Sequence, residues 1–143
     1  MPLQNFGSIL NFAEELESQD QRFYEAAAGN PACAAHQELF VQLAAEAAKN
    51  VKTVQRIRRE YVTEMILEPV RDFTRASFCE ACEGAAVQAA AEVLATAKRL
   101  ESRAERYYTE AADKIKALTE VARALKTLGK IRKVRSAKLA PLE

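Results

Sequence analysis

Apolar residues recur every three or four positions along most of the chain, and this spacing predicts four amphipathic helices. The first, over 7–28, carries Ile9, Ala13, Leu16, Phe23 and Ala27 on one stripe. The second, over 37–66, carries Leu39, Leu43, Ala47, Val51, Val54, Ile57 and Tyr61. The third, over 86–114, carries Ala90, Val93, Ala97, Leu100, Ala104, Tyr107 and Ala111. The fourth, over 119–137, carries Val121, Leu125, Leu128, Ile131 and Val134. Gly29-Asn30-Pro31 is a stop signal, because a residue suited to a left-handed cap precedes a ring that cannot continue a helix. Pro69 closes the next segment, since the residue before proline avoids helical angles. The stretch 67–85 is long for a link between adjacent antiparallel helices and can cross a bundle from end to end. The pattern predicts an all-α four-helix bundle, two helical hairpins joined by a long crossover, as one domain over 1–143.

The junction at 113–119 leaves two outcomes open. It contains neither Gly nor Pro, and Tyr108, Ala111, Ile115, Leu118, Ala122 and Leu125 run through it without a phase break. A tight turn near Lys116 to Thr119, with Thr119 as N-cap, is the preferred reading. The alternative is one continuous helix, which would force domain swapping.

Composition narrows the picture. The chain has 143 residues, of which 49% are hydrophobic and 29% charged, an ordinary folded balance. Ala occurs 28 times against 4 Gly and 4 Pro, which favours helices over strands. The net charge of +1 argues against a polyanionic partner, so nucleic acid is not expected. Lys126, Lys130, Arg132, Lys133, Arg135 and Lys138 make the last helix basic. They read as a solvated face that complements an acidic neighbour and the helix dipole. No apolar run reaches a membrane-spanning length, and the N-terminus lacks the pattern of a signal peptide, so a cytoplasmic protein without a membrane partner is expected.

The chain also matches itself at an offset of 84. Leu16-Glu17-Ser18-Gln19-Asp20-Gln21-Arg22-Phe23-Tyr24 aligns with Leu100-Glu101-Ser102-Arg103-Ala104-Glu105-Arg106-Tyr107-Tyr108, and five of the nine pairs are identical. Leu10/Leu94, Ala13/Ala97, Ala27/Ala111 and Ala28/Ala112 extend the match. A looser one pairs Phe40-Val41-Gln42-Leu43-Ala44 with Leu118-Thr119-Glu120-Val121-Ala122. Spacing this regular reads as an internal repeat.

A Glu followed six and seven residues later by two aromatics, then alanines, resembles the first helix of each half of a ferritin-like, rubrerythrin-type domain. The run from Phe40 to Val51 resembles that family's second helix, and the likeness covers about 7–135. The resemblance implies a di-iron centre, with one Glu from each of two helices and a Glu-x-x-His from each of the other two. By position, Glu17 and Glu101 match the single glutamates. The second-helix pair falls on Ala47 and Asn50, and the fourth-helix pair falls near Leu125 and Leu128, within one or two residues. Two imidazoles are needed and the chain has one histidine, His36, at the start of the second helix.

The fold is thus implied while its usual chemistry is withdrawn. The expected function is that of a non-catalytic interaction or accessory module, homodimeric or bound to a protein partner, without a cofactor. Enzymatic activity is not expected. Two alternatives stay open. One is a metal-binding oxidoreductase with a reduced carboxylate site, in which Glu17 and Glu101, with Asp20 or Glu46, hold iron, manganese or zinc weakly. The other is a thiol redox switch at Cys79 and Cys82, the single Cys-x-x-Cys of the chain. Cys33 and His36 could join that pair in a zinc site, although buried or idle thiols are the simpler reading. Without metal, Glu17 and Glu101 are expected either to be protonated, hydrogen-bonded to Asn50 or paired with Lys, or to have turned to solvent. Tyr24 and Tyr108 are expected to be core aromatics with satisfied hydroxyls.

Overall fold

The computed structural model describes residues 6–60, 78, 87–115 and 119–142, with Phe6 placed by its backbone alone. Four α-helices are present there: α1 (Phe6–Ala28), α2 (Gln37–Glu60), α3 (Ala90–Lys114) and α4 (Thr119–Leu139). A 3₁₀ helix, Pro31–His36, which the hydrophobic pattern did not predict, leads from α1 into α2. The fold is the expected all-α four-helix bundle.

The helices run as two antiparallel hairpins. Asn50 of α2 reaches Glu17 of α1, Gln55 reaches Glu14, and Arg58 reaches Asn11, so one number rises as the other falls. In the second hairpin Arg132 of α4 meets Glu101 of α3, and Gly129 lies against Tyr108. The hairpins join mainly across α1 and α3, where Tyr107 donates to the Ile9 carbonyl at 2.6 Å. Glu46 on α2 faces Arg135 on α4.

Local chemistry explains the ends of α1 and α3. The Gly29 N–H reaches the Glu25 and Ala26 carbonyls, using two acceptors that the helix end leaves free. Asn30 then caps the 3₁₀ helix by accepting from the Ala32 N–H at 2.9 Å, with Pro31 at the first position, where its missing donor is harmless. The Asn30 amide also donates to the Gln88 carbonyl at 2.7 Å, which ties the first hairpin to the approach of α3.

Most core positions lie where periodicity puts them. Every apolar position assigned to α1 is buried, and so is every one assigned to α3 except Ala90. Leu39 and Val51 of α2 are half-buried. One apolar cluster, including Ile9, Phe12, Val54, Phe78, Tyr107 and Leu125, fills one end of the bundle. A second, including Phe23, Cys33, Phe40, Leu43, Val93 and Leu139, fills the other.

Several expectations need correction. Helix α3 starts at Ala90 rather than 86, because Val87–Ala89 is non-helical and Val87 stands in solvent. The continuous helix through 113–119 is excluded. Helix α3 ends at Lys114, the Ile115 N–H closes back on the Ala111 carbonyl, and α4 packs antiparallel on α3 within one chain. Thr119 is the first residue of α4 rather than its cap. The buried stripe of α4 follows Val121, Leu125 and Leu128 but then continues through Arg132, Arg135 and Leu139, leaving Ile131 half-buried and Val134 57% exposed. Tyr61, the predicted helical stretch 61–66, Cys79, Cys82 and all of the crossover except Phe78 lie outside the described residues.

Candidate functional site

Between the two apolar clusters lies a polar layer. Glu17 and Asp20 from α1, Asn50 from α2, Glu101 and Arg103 from α3, and Arg132 and Arg135 from α4 are all buried there. Each sits in phase with the apolar stripe of its own helix, so packing of the bundle drives all of them inward together. Glu17, Asp20, Glu101 and Arg132 have no exposed surface. Such burial costs many kcal/mol for unpaired charges, so the pairing must be close.

Arg132 is the hub. Its Nη2 lies 2.7 Å from Glu17 Oε2 and 2.8 Å from Asp20 Oδ2, and its Nη1 donates to Glu101 Oε2 at 2.8 Å. Its Nε donates to Glu17 Oε2 at 3.2 Å. One guanidinium thereby binds three carboxylates from two helices, using the fixed fork of donors that only arginine carries. Burial disfavours its charge, but Glu101, Glu17 and Asp20 outweigh that and hold it firmly protonated.

The remaining positions complete the layer. Arg103 Nη2 contacts Asp20 Oδ1 at 2.6 Å, and its Nη1 donates to the Phe78 carbonyl at 3.0 Å. The Asn50 amide donates to Glu17 Oε1 at 3.2 Å. Tyr108 donates to Glu17 Oε2 at 2.6 Å, and Tyr24 donates to Glu101 Oε2. These two contacts cross over: each tyrosine serves the glutamate of the other hairpin, and the residues are related by the offset of 84. Burial first, and the adjacent carboxylates second, push both phenols well above their usual range, so they act as donors. Arg135 is the least satisfied member. It is buried, makes no hydrogen bond among the described residues, and faces Glu46 Oε2 and Glu101 Oε1 at 3.9 Å. The titration of Asp20 is displaced upward. Burial raises it from 3.8 to about 6, outweighing the opposing pull of Arg132 and Arg103.

The sequence expectations for this layer divide. Glu17 and Glu101 do face inward, as carboxylates hydrogen-bonded to Asn50 and to tyrosine, and have not turned to solvent. Their cationic partner is Arg132 rather than a lysine. Tyr24 and Tyr108 are core aromatics with satisfied hydroxyls, as expected. The fourth-helix ligand positions fall on Gly129 and Arg132 rather than near Leu125 and Leu128. Arg132 meets Glu101 as Asn50 meets Glu17, while Leu125 and Leu128 belong to the apolar cluster. Glu46 stands at the edge, partly exposed and 3.9 Å from Arg135. Arg132 and Arg135, expected on a solvated face, are in the core, because the carboxylates make the inward side the better place for a guanidinium. Arg103 was not singled out at all. Two signals mark these residues in retrospect. Arg132 and Arg135 continue the three-and-four spacing of Leu125 and Leu128, and Arg103 aligns with Gln19 at the offset of 84 and packs beside it.

The implied di-iron centre does not fit these residues. Ala47, Asn50, Gly129 and Arg132 stand where carboxylate and imidazole ligands would be needed, and a guanidinium cannot shed its proton to bind metal. One oxygen of each of Glu17, Asp20 and Glu101 already lies 2.7–2.8 Å from the Arg132 guanidinium. Among the described residues, no group of three or more His, Cys, Asp and Glu side chains is placed to hold a metal ion. An open cleft of about 590 Å³ lies outside α1, and Arg103 shares its wall, but Glu17, Glu101 and Arg132 are not among its described lining residues. Cys33 is a free, buried thiol whose titration is raised by burial. No helix is long and apolar enough to cross a membrane among the described residues.

Comparison with curated proteins and with solved structures returned no match. A family model described as a ferritin-like domain matches residues 7–140, nearly the whole chain. With two antiparallel hairpins and inward glutamates at 17 and 101, the chain belongs to the ferritin-like domain family.

Proposed function

We propose that this chain is a non-catalytic member of that family, of rubrerythrin-type descent by internal duplication, that serves as an interaction or accessory module. The observation that carries the reading is the guanidinium of Arg132 bound to Glu17, Asp20 and Glu101 at 2.7–2.8 Å. Oxygen and peroxide chemistry in this fold needs an open metal position between those carboxylates, and here a fixed organic cation stands among them. The crossed Tyr24–Glu101 and Tyr108–Glu17 contacts support descent by duplication, since the offset of 84 relates both pairs. What stays available for function is the outer surface. Val41 on α2 and Val134 on α4 are more than half exposed, on helices that adjoin each other, and suit contact with a second copy or another protein. The absence of a membrane-spanning helix from the described residues, together with a free thiol at Cys33, accords with a cytoplasmic setting.

Tag-free protein exposed to ferrous iron, dioxygen or hydrogen peroxide tests the catalytic half of this reading. Turnover at the buffer rate is expected. Stoichiometric iron with turnover that disappears in Glu17→Ala and Glu101→Ala would end it. Light scattering over a range of concentrations tests the association half, with a dimer expected.

A further inference from the structure

We propose that Arg132 is a built-in replacement for metal: guanidinium and divalent cation compete for the same three carboxylates, so the bundle excludes metal while Arg132 is present and gains a cation site when that side chain is shortened. The proposal deepens the metal-free reading above and rests on it. Three observations support it. First, the contacts of Arg132 are those of a bound cation, with oxygens of Glu17, Asp20 and Glu101 at 2.7–2.8 Å on one side chain that has no exposed surface. Second, Arg132 occupies the place on α4 that Asn50 holds on α2, each reaching the inward glutamate of its own hairpin, so the cation comes from a ligand position. Third, charge closes within the layer. Glu17, Asp20 and Glu101 are matched by Arg103, Arg132 and Arg135, all buried, so the carboxylates need no external counter-ion.

Loss of the Arg132 side chain leaves Glu17 with the neutral donors Asn50 and Tyr108, Glu101 with Tyr24 and with Arg135 at 3.9 Å, and Asp20 with Arg103. Carboxylate oxygens from two helices, set around the space of one side chain, are the donor type a hard divalent ion such as Mn²⁺ takes. The ion supplies the positive charge lost with Arg132, taking the layer from one unit negative to one unit positive, and cross-links α1 to α3 as the guanidinium does in the native chain.

The test uses the full chain, freed of metal by chelation, as wild type, Arg132→Ala, Arg132→Gln, and Arg132→Ala combined with Glu17→Gln and Glu101→Gln. Each is titrated with Mn²⁺, and bound metal per chain and thermal midpoint are read together. Wild type is expected to retain no stoichiometric Mn²⁺, with a midpoint unmoved by chelator or metal. Arg132→Ala and Arg132→Gln are expected to bind roughly one ion per chain, with a midpoint that climbs with metal concentration. The combined variant is expected to lose both effects. If Arg132→Ala and Arg132→Gln are unfolded after chelation, recovery of helical signal on adding Mn²⁺ is the same positive result. Folded variants that take no more metal than wild type would overturn the proposal, as would variants that stay unfolded at saturating Mn²⁺. Neither result would touch the non-catalytic reading. Stoichiometric Mn²⁺ in the wild type, lost in Glu17→Gln, would overturn both.

Discussion

Two buried arginines sit a turn apart on α4, and replacement by methionine should cost far more at one than at the other. Arg132 holds three carboxylates, so Arg132→Met strands buried negative charge and should lower stability by about 3–5 kcal/mol. Arg135 makes no hydrogen bond among the described residues, and its nearest carboxylate oxygens lie at 3.9 Å. Arg135→Met keeps the volume and removes a poorly satisfied charge, so it should change stability by less than about 1 kcal/mol. Urea unfolding monitored by circular dichroism, with equal m-values, measures both. Asp20 adds a pH signature. Its carboxyl titrates at about 6 when folded and near 3.8 when exposed, so between those values the folded state holds a proton that the unfolded chain has released. Its contribution to stability therefore declines as pH rises through that window and is level above it. Asp20→Asn should flatten the slope of the urea midpoint between those two pH values.

At the scale of elements, Gly129 governs how closely α4 approaches α3. A Cβ there would meet the Tyr108 Cβ at 3.3 Å. Tyr108 cannot easily give way, because it is fully buried and its hydroxyl is committed to Glu17. Alanine normally improves a helix interior by about 0.5–1 kcal/mol over glycine. Gly129→Ala should nevertheless gain nothing or destabilise, and Gly129→Val should destabilise strongly; thermal midpoints of the two variants would show it. Such details also mark the limit of the sequence reading. Helices α1 and α3 were legible because Ile9, Leu16, Val93 and Leu100 repeat at helical spacing and pack where that spacing points. Helix α4 was legible only to Leu128. Beyond it, apolar periodicity places Val134 in the core and Arg132 on the surface, since it assigns every charge outward unless a partner is known. The partners of Arg132 lie 31, 112 and 115 residues away along the chain, which no local window detects. Glu17 and Glu101 were found by resemblance and by the repeat, whereas the guanidinium that now defines their chemistry was not.

At the scale of the whole molecule, Arg132 stands among the inward carboxylates, and the remaining scope for function is external. If copies associate through the exposed Val41 and Val134, Asp at both positions should convert a dimer into a monomer without changing the helical content. Sedimentation and circular dichroism on the same samples would show whether assembly and fold separate in this way. A dimer that survives both substitutions would place its interface elsewhere on the bundle.

The crossed tyrosine contacts have one more consequence. Since Tyr24 completes Glu101 and Tyr108 completes Glu17, each helical pair lacks one donor to its own glutamate, and the first pair also lacks the Arg132 cation that faces Glu17 and Asp20. A fragment ending after α2 would bury Glu17 with Asn50 alone, and one beginning before α3 would lack the donor to Glu101 from Tyr24. Each piece should remain largely unstructured by itself, and mixing the two should recover the native assembly. In that sense the halves are complementary rather than interchangeable: a homodimer of either one would repeat half of this circuit and leave the other half open.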